Sequence, residues 1–258
     1  MTDVLGVCLA WEAESCLIRT EDGDSVRIPL ADVVTGKPVP PRGSVRDRIP
    51  ARTAQVHGFA LFPDLQTEPL GGWILRRSAS SPARRANSVL AFGPPGVDDV
   101  LEQVVAHYRR PVAAVLVDSA EEGLFRDAGW VLESTDADTL FCVAGTAQVA
   151  RGLRDVEDAE VALEEAGGIV TARLPGVGSG VAAFADDWLG FRSVQVDPAH
   201  RRRGAGRAIM AALVGWGAEQ GATTCYLQVL ADNDAALRLY EPLGLRTHHR
   251  YRYLTPAV

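Results

Sequence analysis

Three consecutive arginines, Arg201, Arg202 and Arg203, stand directly before the turn Gly204-Ala205-Gly206 and an apolar run that begins at Ala208. A helix N-terminus presents unpaired N–H groups and about half a positive charge. Guanidinium groups crowded against it repel that dipole unless an anion lies between them. The stretch before them, Ser193 to Val196, has the composition of a strand, and Pro198 stops it. Strand, glycine turn and helix in this order suit a phosphate; the alternative is a solvated basic loop. A Walker loop requires Lys and Ser/Thr after its glycines, where this chain has Arg207-Ala208. A dinucleotide fingerprint requires a small residue where Ile209 stands, and a β-branched side chain there is expected to obstruct packing of helix on strand.

Downstream, Cys225 to Leu230 reads as a buried strand, followed by Asn233-x-x-Ala236-x-x-x-Tyr240-x-x-x-Gly244-Leu245. Together with Arg-x-x-Gly-x-Gly, this order resembles the GNAT superfamily of N-acetyltransferases, with Leu245 standing where that pattern has phenylalanine. The resemblance implies an α/β GNAT fold with a mixed, splayed central sheet, and acetyl-CoA as cosubstrate. It implies that backbone groups of Val194, Gln195 and Val196 hold the pantetheine arm, the Val196 N–H aimed at the thioester oxygen. Arg201, Arg202, Arg203, Gly204, Ala205 and Gly206 would take the pyrophosphate, and Asn233 the pantetheine amide. Tyr240, two helical turns beyond Asn233, would protonate the departing thiolate, its phenol being neutral at pH 7. Read without the resemblance, Asn233 is an N-cap and Tyr240 a core aromatic.

The general base stays open between Asp186, Asp187, Glu133 and a water relay. Trp188 suits a core or pocket wall, His200 a loop, and His248 and His249 the last hairpin. Arg76, Arg84, Arg85 and Asn87 could recognise an anionic group on the acceptor, or belong to a solvated surface loop.

The 258 residues, 47% hydrophobic and 23% charged, have ordinary globular composition. A net charge of −7 speaks against nucleic acid as a partner. No apolar run reaches the roughly 20 residues of a membrane span, and no basic signal-type start precedes Val4. Cys8, Cys16, Cys142 and Cys225 lie scattered without metal-ligand spacing, as expected of free thiols in the cytoplasm. No metal is expected, the partners are acetyl-CoA and an amine, and a homodimer is compatible with the sequence. The competing function is a non-catalytic acyl-CoA-binding module.

Three regions are expected. Residues 1–50 read as a meander closing into an SH3-like barrel, with a stiff proline-rich exit at 37–43. Residues 51–148 read as a degenerate GNAT-like half, because Phe125-x-x-x-Gly129-Trp130 mirrors Tyr240-x-x-x-Gly244-Leu245. A helix is expected from Thr53 to about Leu70, and another over 97–108. Residues 149–258 form the expected catalytic domain, opening with an acidic helix over 151–168 and a hairpin around 175–180. The strand Gly72-Trp73-Ile74-Leu75-Arg76 and the turn Arg85-Ala86-Asn87-Ser88 resemble those of an actinobacterial-type GNAT group carrying an SH3-like N-terminal domain.

Overall fold

The computed structural model describes residues 3–20, 23–37, 44–136, 138–156 and 160–257 and divides at Gly43/Ser44 into two units. In the first unit β1 (Gly6–Trp11), β2 (Ser15–Thr20) and β3 (Ser25–Pro29) form an antiparallel sheet in that order. The short apolar runs and the turns between them set this meander. The proline-rich exit at 38–43 and the first half of the turn at 21–24 lie outside the described residues.

The second unit begins with α1 (Ala51–His57), a 3₁₀ turn, β4 (Gln66–Leu70), β5 (Trp73–Arg77) and β6 (Val89–Ala91). Next come α2 (Val100–His107), β7 (Ala113–Leu116), α3 (Ala120–Asp127), β8 (Trp130–Leu132), β9 (Thr139–Gly145) and α4 (Thr146–Leu153). After them stand β10 (Ala162–Ala166), β11 (Ile169–Leu174), β12 (Gly178–Ala185), β13 (Trp188–Val196) and α5 (Ala205–Glu219). The chain closes with β14 (Thr224–Leu230), α6 (Asp234–Tyr240) and β15 (Arg246–Pro256).

Two expected helices are strands in part. The helix expected over 53–70 ends at His57 and continues only as a 3₁₀ turn over Gly58–Leu61, after which Phe62 is extended, as Pro63 biases the residue before it. Its second half becomes β4, an edge strand, where Pro69 is tolerated. The acidic segment splits likewise: α4 ends at Leu153, and Ala162–Ala166 is the opposite edge. Glu164 and Glu165 suit an edge, where charge blocks pairing with another chain, and Glu164 meets Arg173 across the ladder at 3.0 Å. Residues 157–159 of that segment lie outside the description.

One mixed sheet runs β10-β11-β12-β13-β14-β9-β15-β7-β6-β5-β4, with β8 joined to β15. The order has an internal symmetry. In each direction from the centre comes a parallel pair, β13 with β14 and β6 with β7, and then antiparallel neighbours. The last strand of each half crosses over: β9 pairs with β14, and β15 with β7. The two halves therefore exchange their final strands and share one sheet.

Alternation along these strands builds a core on each face. Phe191, Leu189, Cys225, Leu227, Cys142 and Ala144 pack under α4 and α5. Their neighbours Trp188, Tyr226, Phe141 and Val143 pack on the other face, with Ala54 of α1 and Leu61. Ile209 is fully buried here and does not obstruct packing. Gly180 of β12 makes the room: a Cβ there would lie 2.8 Å from the Ile209 side chain.

Candidate active site

The parallel ladder between β13 and β14 contains only four register pairs, from Trp188↔Thr224 to Phe191↔Leu227. After Phe191 the two strands part. Ser193 sits at φ 52°, and the pairing of β13 with β12 shifts register between Ser179 and Val181. This bulge bends β13 away from β14. The splay thus begins several residues before Pro198, which stops the strand.

Past the strand, Asp197 caps a short 3₁₀ turn by accepting the Ala199 N–H at 2.9 Å. Arg202 at φ 61° and Gly204 at φ 84° then turn the backbone into α5, whose N-cap has no side-chain bond. Among the described residues no protein group accepts the amides of residues 202–207. Left-handed backbone next to a helix start aims successive N–H groups at one point, the geometry of an anion nest. Gly206 also lets α5 approach α6 closely, since a Cβ would lie 3.3 Å from Leu239.

These amides open into a cleft of about 1560 Å³. Val194, Gln195 and Val196 form one wall, the turn at 173–179 another, and Asn233, Leu239 and Tyr240 a third. Arg201, Arg202, Gly204, Ala205 and Gly206 line its far end. Arg203 instead lines a smaller adjoining cavity with Asp155 and Val156. The Arg201 Nε donates to the Val196 carbonyl at 3.1 Å and ties the loop to the strand end.

Asn233 is the N-cap of α6: its Oδ1 accepts the Ala236 N–H at 3.1 Å. That leaves its NH₂ directed to other partners. Tyr240 is buried at the end of α6, and burial first, then nearby Cys142, pushes its phenol up to about 12. It stays protonated across the whole working range of an enzyme.

The candidate bases do not converge on this cleft. Asp186 and Asp187 occupy the turn before β13, and six residues of extended chain set Asp187 about 20 Å from Ser193. Asp187 accepts the Thr223 hydroxyl, and Asp186 lies 3.8 Å from His57. Glu133 is paired with Arg84 at 2.7 Å. Trp188 stacks on His57 at 4.2 Å in the core opposite α5. His200 lies in the loop, its Nδ1 3.7 Å from Asp197.

His248 and His249 are half-buried on β15. His248 is the bulged residue between the pairs Thr247↔Cys142 and His249↔Phe141. The Gln55 amide lies 3.0 Å from His249 Nε2, and the two Nδ1 atoms face each other at 2.7 Å. Burial, and then His248, pull the His249 imidazole down to about 3.

Of the arginine loop, most members are structural. Arg76 is fully buried and holds the Ser88 carbonyl at 3.1 Å and hydroxyl at 2.7 Å. Arg84 joins Glu133 and Asp136 and lies over the Tyr253 ring at 4.7 Å. Asn87 closes its own loop through Ser78, Ser81 and Ala83. Arg85 differs: among the described residues it donates only to the Gln228 carbonyl, at 3.3 Å. Arg192, which the sequence alone did not single out, donates to the Leu61 carbonyl at 3.0 Å. Its signal was that it is the one charged residue of the strand 188–196. Among the described residues no group of His, Cys, Asp or Glu is arranged to hold a metal, and no helix is long and apolar enough to cross a membrane.

A family model described as "Probable histone acetyltransferase Rv0428c C-terminal" matches residues 113–254. The probable histone acetyltransferase Rv0428c of Mycobacterium tuberculosis is 27% identical over 288 residues, covering 98% of this chain and 89% of its own. The ribosomal protein bS18-alanine N-acetyltransferase of Escherichia coli K12 is 42% identical over 52 residues, 20% of this chain and 35% of the enzyme. Among solved structures, a GCN5-related N-acetyltransferase from Kribbella flavida superposes with a TM-score of 0.58 at 17% identity, over 81% of this chain and 96% of that one. At that identity the likeness is one of fold.

Proposed function

The chain belongs to the Rv0428c C-terminal family of GNAT-type N-acetyltransferases, and from that premise we propose that it moves an acetyl group from acetyl-CoA to a primary amine. It is an acyltransferase. One observation carries the cosubstrate: the amides of residues 202–207 have no protein acceptor and open into the cleft beside the parted strands. In this reading a nucleotide lies at the α5 end of the cleft and a pantetheine arm toward the bulge. The set fits acetyl-CoA, with polar backbone at one end and Val194, Val196 and Leu239 along its wall.

In this reading Arg201, Arg202 and the amides through Gly206 hold the pyrophosphate, and Arg203 meets an outer phosphate. Val194, Gln195 and Val196 hold the pantetheine arm, and the Asn233 NH₂ bonds its amide. A neutral amine attacks the thioester carbonyl, the C–S bond breaks, and Tyr240 gives its proton to the sulfur. Its raised pKa keeps the phenol protonated at neutral pH, so the proton is in place as charge develops on the sulfur during C–S cleavage, and solvent then reprotonates the phenolate. The amine's proton leaves through water, since none of the three candidate carboxylates lies at the bulge. Polarisation of the carbonyl falls to a β13 amide.

Residues 149–258 are the catalytic half in this reading, residues 51–148 a degenerate counterpart, and residues 1–50 an SH3-like module. The symmetric strand order supports the first two assignments, and the three-stranded meander the third. Cysteines 16, 142 and 225, buried and free, suit a cytoplasmic protein. The acceptor is a small molecule or a protein amine. Thiol release from acetyl-CoA, followed with a panel of primary amines, tests the proposal. Amine-dependent release is expected; tight acetyl-CoA binding with no release for any amine would leave only a binding module.

A further inference from the structure

The parted strands leave a gap whose far side, opposite α5, carries charge that no carboxylate among the described residues balances. The Thr224 N–H donates to Asp187 of β13's turn at 3.1 Å, so the main-chain polar groups of Thr224 face β13. Backbone direction alternates along a strand, so those of Tyr226 and Gln228 face β13 as well. At Gln228, β13 has already departed, because the last pair is Phe191↔Leu227. The Gln228 carbonyl therefore points into the gap, and the Arg85 guanidinium caps it at 3.3 Å.

Arg192 is the first β13 residue past that last pair. Phe191 packs under α5, so Arg192 projects from the opposite face. There its Nε holds the Leu61 carbonyl and its guanidinium lies 5.6 Å from the Phe62 ring centroid. Both arginines are half-buried, and burial first, then Arg85, lowers the pKa of Arg192. Among the described residues neither has a carboxylate within salt-bridge distance, whereas Arg84, Arg126, Arg173, Arg250 and Arg252 all do. Among the described residues, the groups that feel Arg85 besides Arg192 are the phenols of Tyr226 and Tyr253, both raised by burial and neutral, and Arg76, which has no carboxylate partner either.

Each guanidinium has five N–H donors in a planar fork and spends one on a carbonyl here. Holding two like charges half-desolvated is costly unless a mobile anion neutralises them. The pair stands at the apex of the gap, on the face away from the acetyl-CoA cleft, where an acceptor has to enter to reach the thioester.

We propose that Arg85 and Arg192 form an anion-binding subsite for the acceptor, so that the amine acetylated by this protein carries a carboxylate or a phosphate. This subsite rests on the transferase reading and names its substrate class. The fork geometry fits a carboxylate in two parallel N–H···O bonds. A lysine-rich segment, with positive charge on both sides of its target amine, is disfavoured.

The test uses the full chain with four acceptors: γ-aminobutyrate, O-phosphoethanolamine, n-butylamine and a lysine-rich peptide. Thiol release from acetyl-CoA is expected to show kcat/KM at least 30-fold higher for one of the two anionic amines than for n-butylamine. The better of those two identifies the anion. Binding to the protein saturated with CoA, measured by calorimetry, is expected to rank the acceptors in the same order. Arg85→Gln and Arg192→Gln are expected to cut the selectivity at least tenfold, through KM, while CoA still binds. Arg192→Lys restores part of it, and Arg77→Gln, at the exposed end of β5, does not change it. Equal binding of all four acceptors, or preference for the peptide, overturns the subsite and leaves the transferase standing. Absence of acetyl-CoA binding overturns the transferase reading itself.

Discussion

The two halves of the large sheet share a strand order but differ in the segment that leaves their parallel pair. In the second half, β13 bulges at Ser193, leaves β14, and runs into arginines and glycines ahead of α5. In the first half, β6 runs into Gly93-Pro94-Pro95-Gly96, and this loop is folded down onto the protein. The Trp73 indole donates to the Gly93 carbonyl at 2.7 Å, and the Gly72 N–H to the Pro95 carbonyl at 2.6 Å. Asp98 and Asp99 stand before α2, so the helix start carries its own negative charge. At the position of Tyr240 is Phe125, fully buried between Trp73 and Trp130 at centroid distances of 5.2 and 4.7 Å. One topology thus supports either an open cleft or a closed loop. The choice lies in a bulge, in the sign of a few charges and in one hydroxyl.

The largest effect should come from that hydroxyl. Tyr240→Phe is expected to lower thiol release at least tenfold while acetyl-CoA affinity changes less than twofold. A phenol at about 12 also predicts no loss of rate from its ionisation between pH 8 and 10. A decline in that range which disappears in Tyr240→Phe would show the side chain to be far less buried than its helix places it.

The seam between the halves responds to acid. His249 on the exchanged strand β15 has a native pKa of about 3 against an unfolded value of 6.5. Between those limits the unfolded state holds the extra proton, so stability is full above pH 6.5 and falls as pH drops toward 3. One proton sets a slope of at most about 1.4 kcal/mol per pH unit. Urea titrations at pH 7.5, 6 and 5 should show this slope shrink in His249→Phe. An unchanged slope would mean that the imidazole ring is solvated, and the seam looser than the stacking on Phe141 at 4.8 Å implies.

A smaller effect sharpens the contrast from the other half. Phe125→Tyr restores the missing hydroxyl without the cleft, and should cost roughly 1–3 kcal/mol as a buried group without a partner. It should leave acetyl-CoA stoichiometry at one per chain, measured by calorimetry. A second equivalent bound would mean that the loop at 93–96 opens more easily than its hydrogen bonds suggest.

Much of this is legible in the residues. The strand 188–196 and the helix after Gly204 emerge from apolar alternation, a proline stop and glycine punctuation. Phe125 and Tyr240 mark the repeat by identical spacing to Gly129 and Gly244. The segments 53–70 and 151–168 mislead because edge strands are short and charged, and their pairing partners lie outside the local pattern. Arg192 stays hidden because nothing in its neighbours tells which face of β13 it occupies.

The amino-acid order by itself determined the glycine turn before α5, the Asn233–Tyr240 helix and the twofold plan, because each is written in residues close together along the chain. Only the tertiary structure decided that the halves trade their last strands, that Gly180 admits Ile209, and that the carboxylates at 186 and 187 lie at the wrong end of β13. It also brought Arg85 and Arg192, 107 positions apart, to one gap. Such long-range pairings are fixed by register and by which side chain fits which face, and both exist only once the sheet has closed.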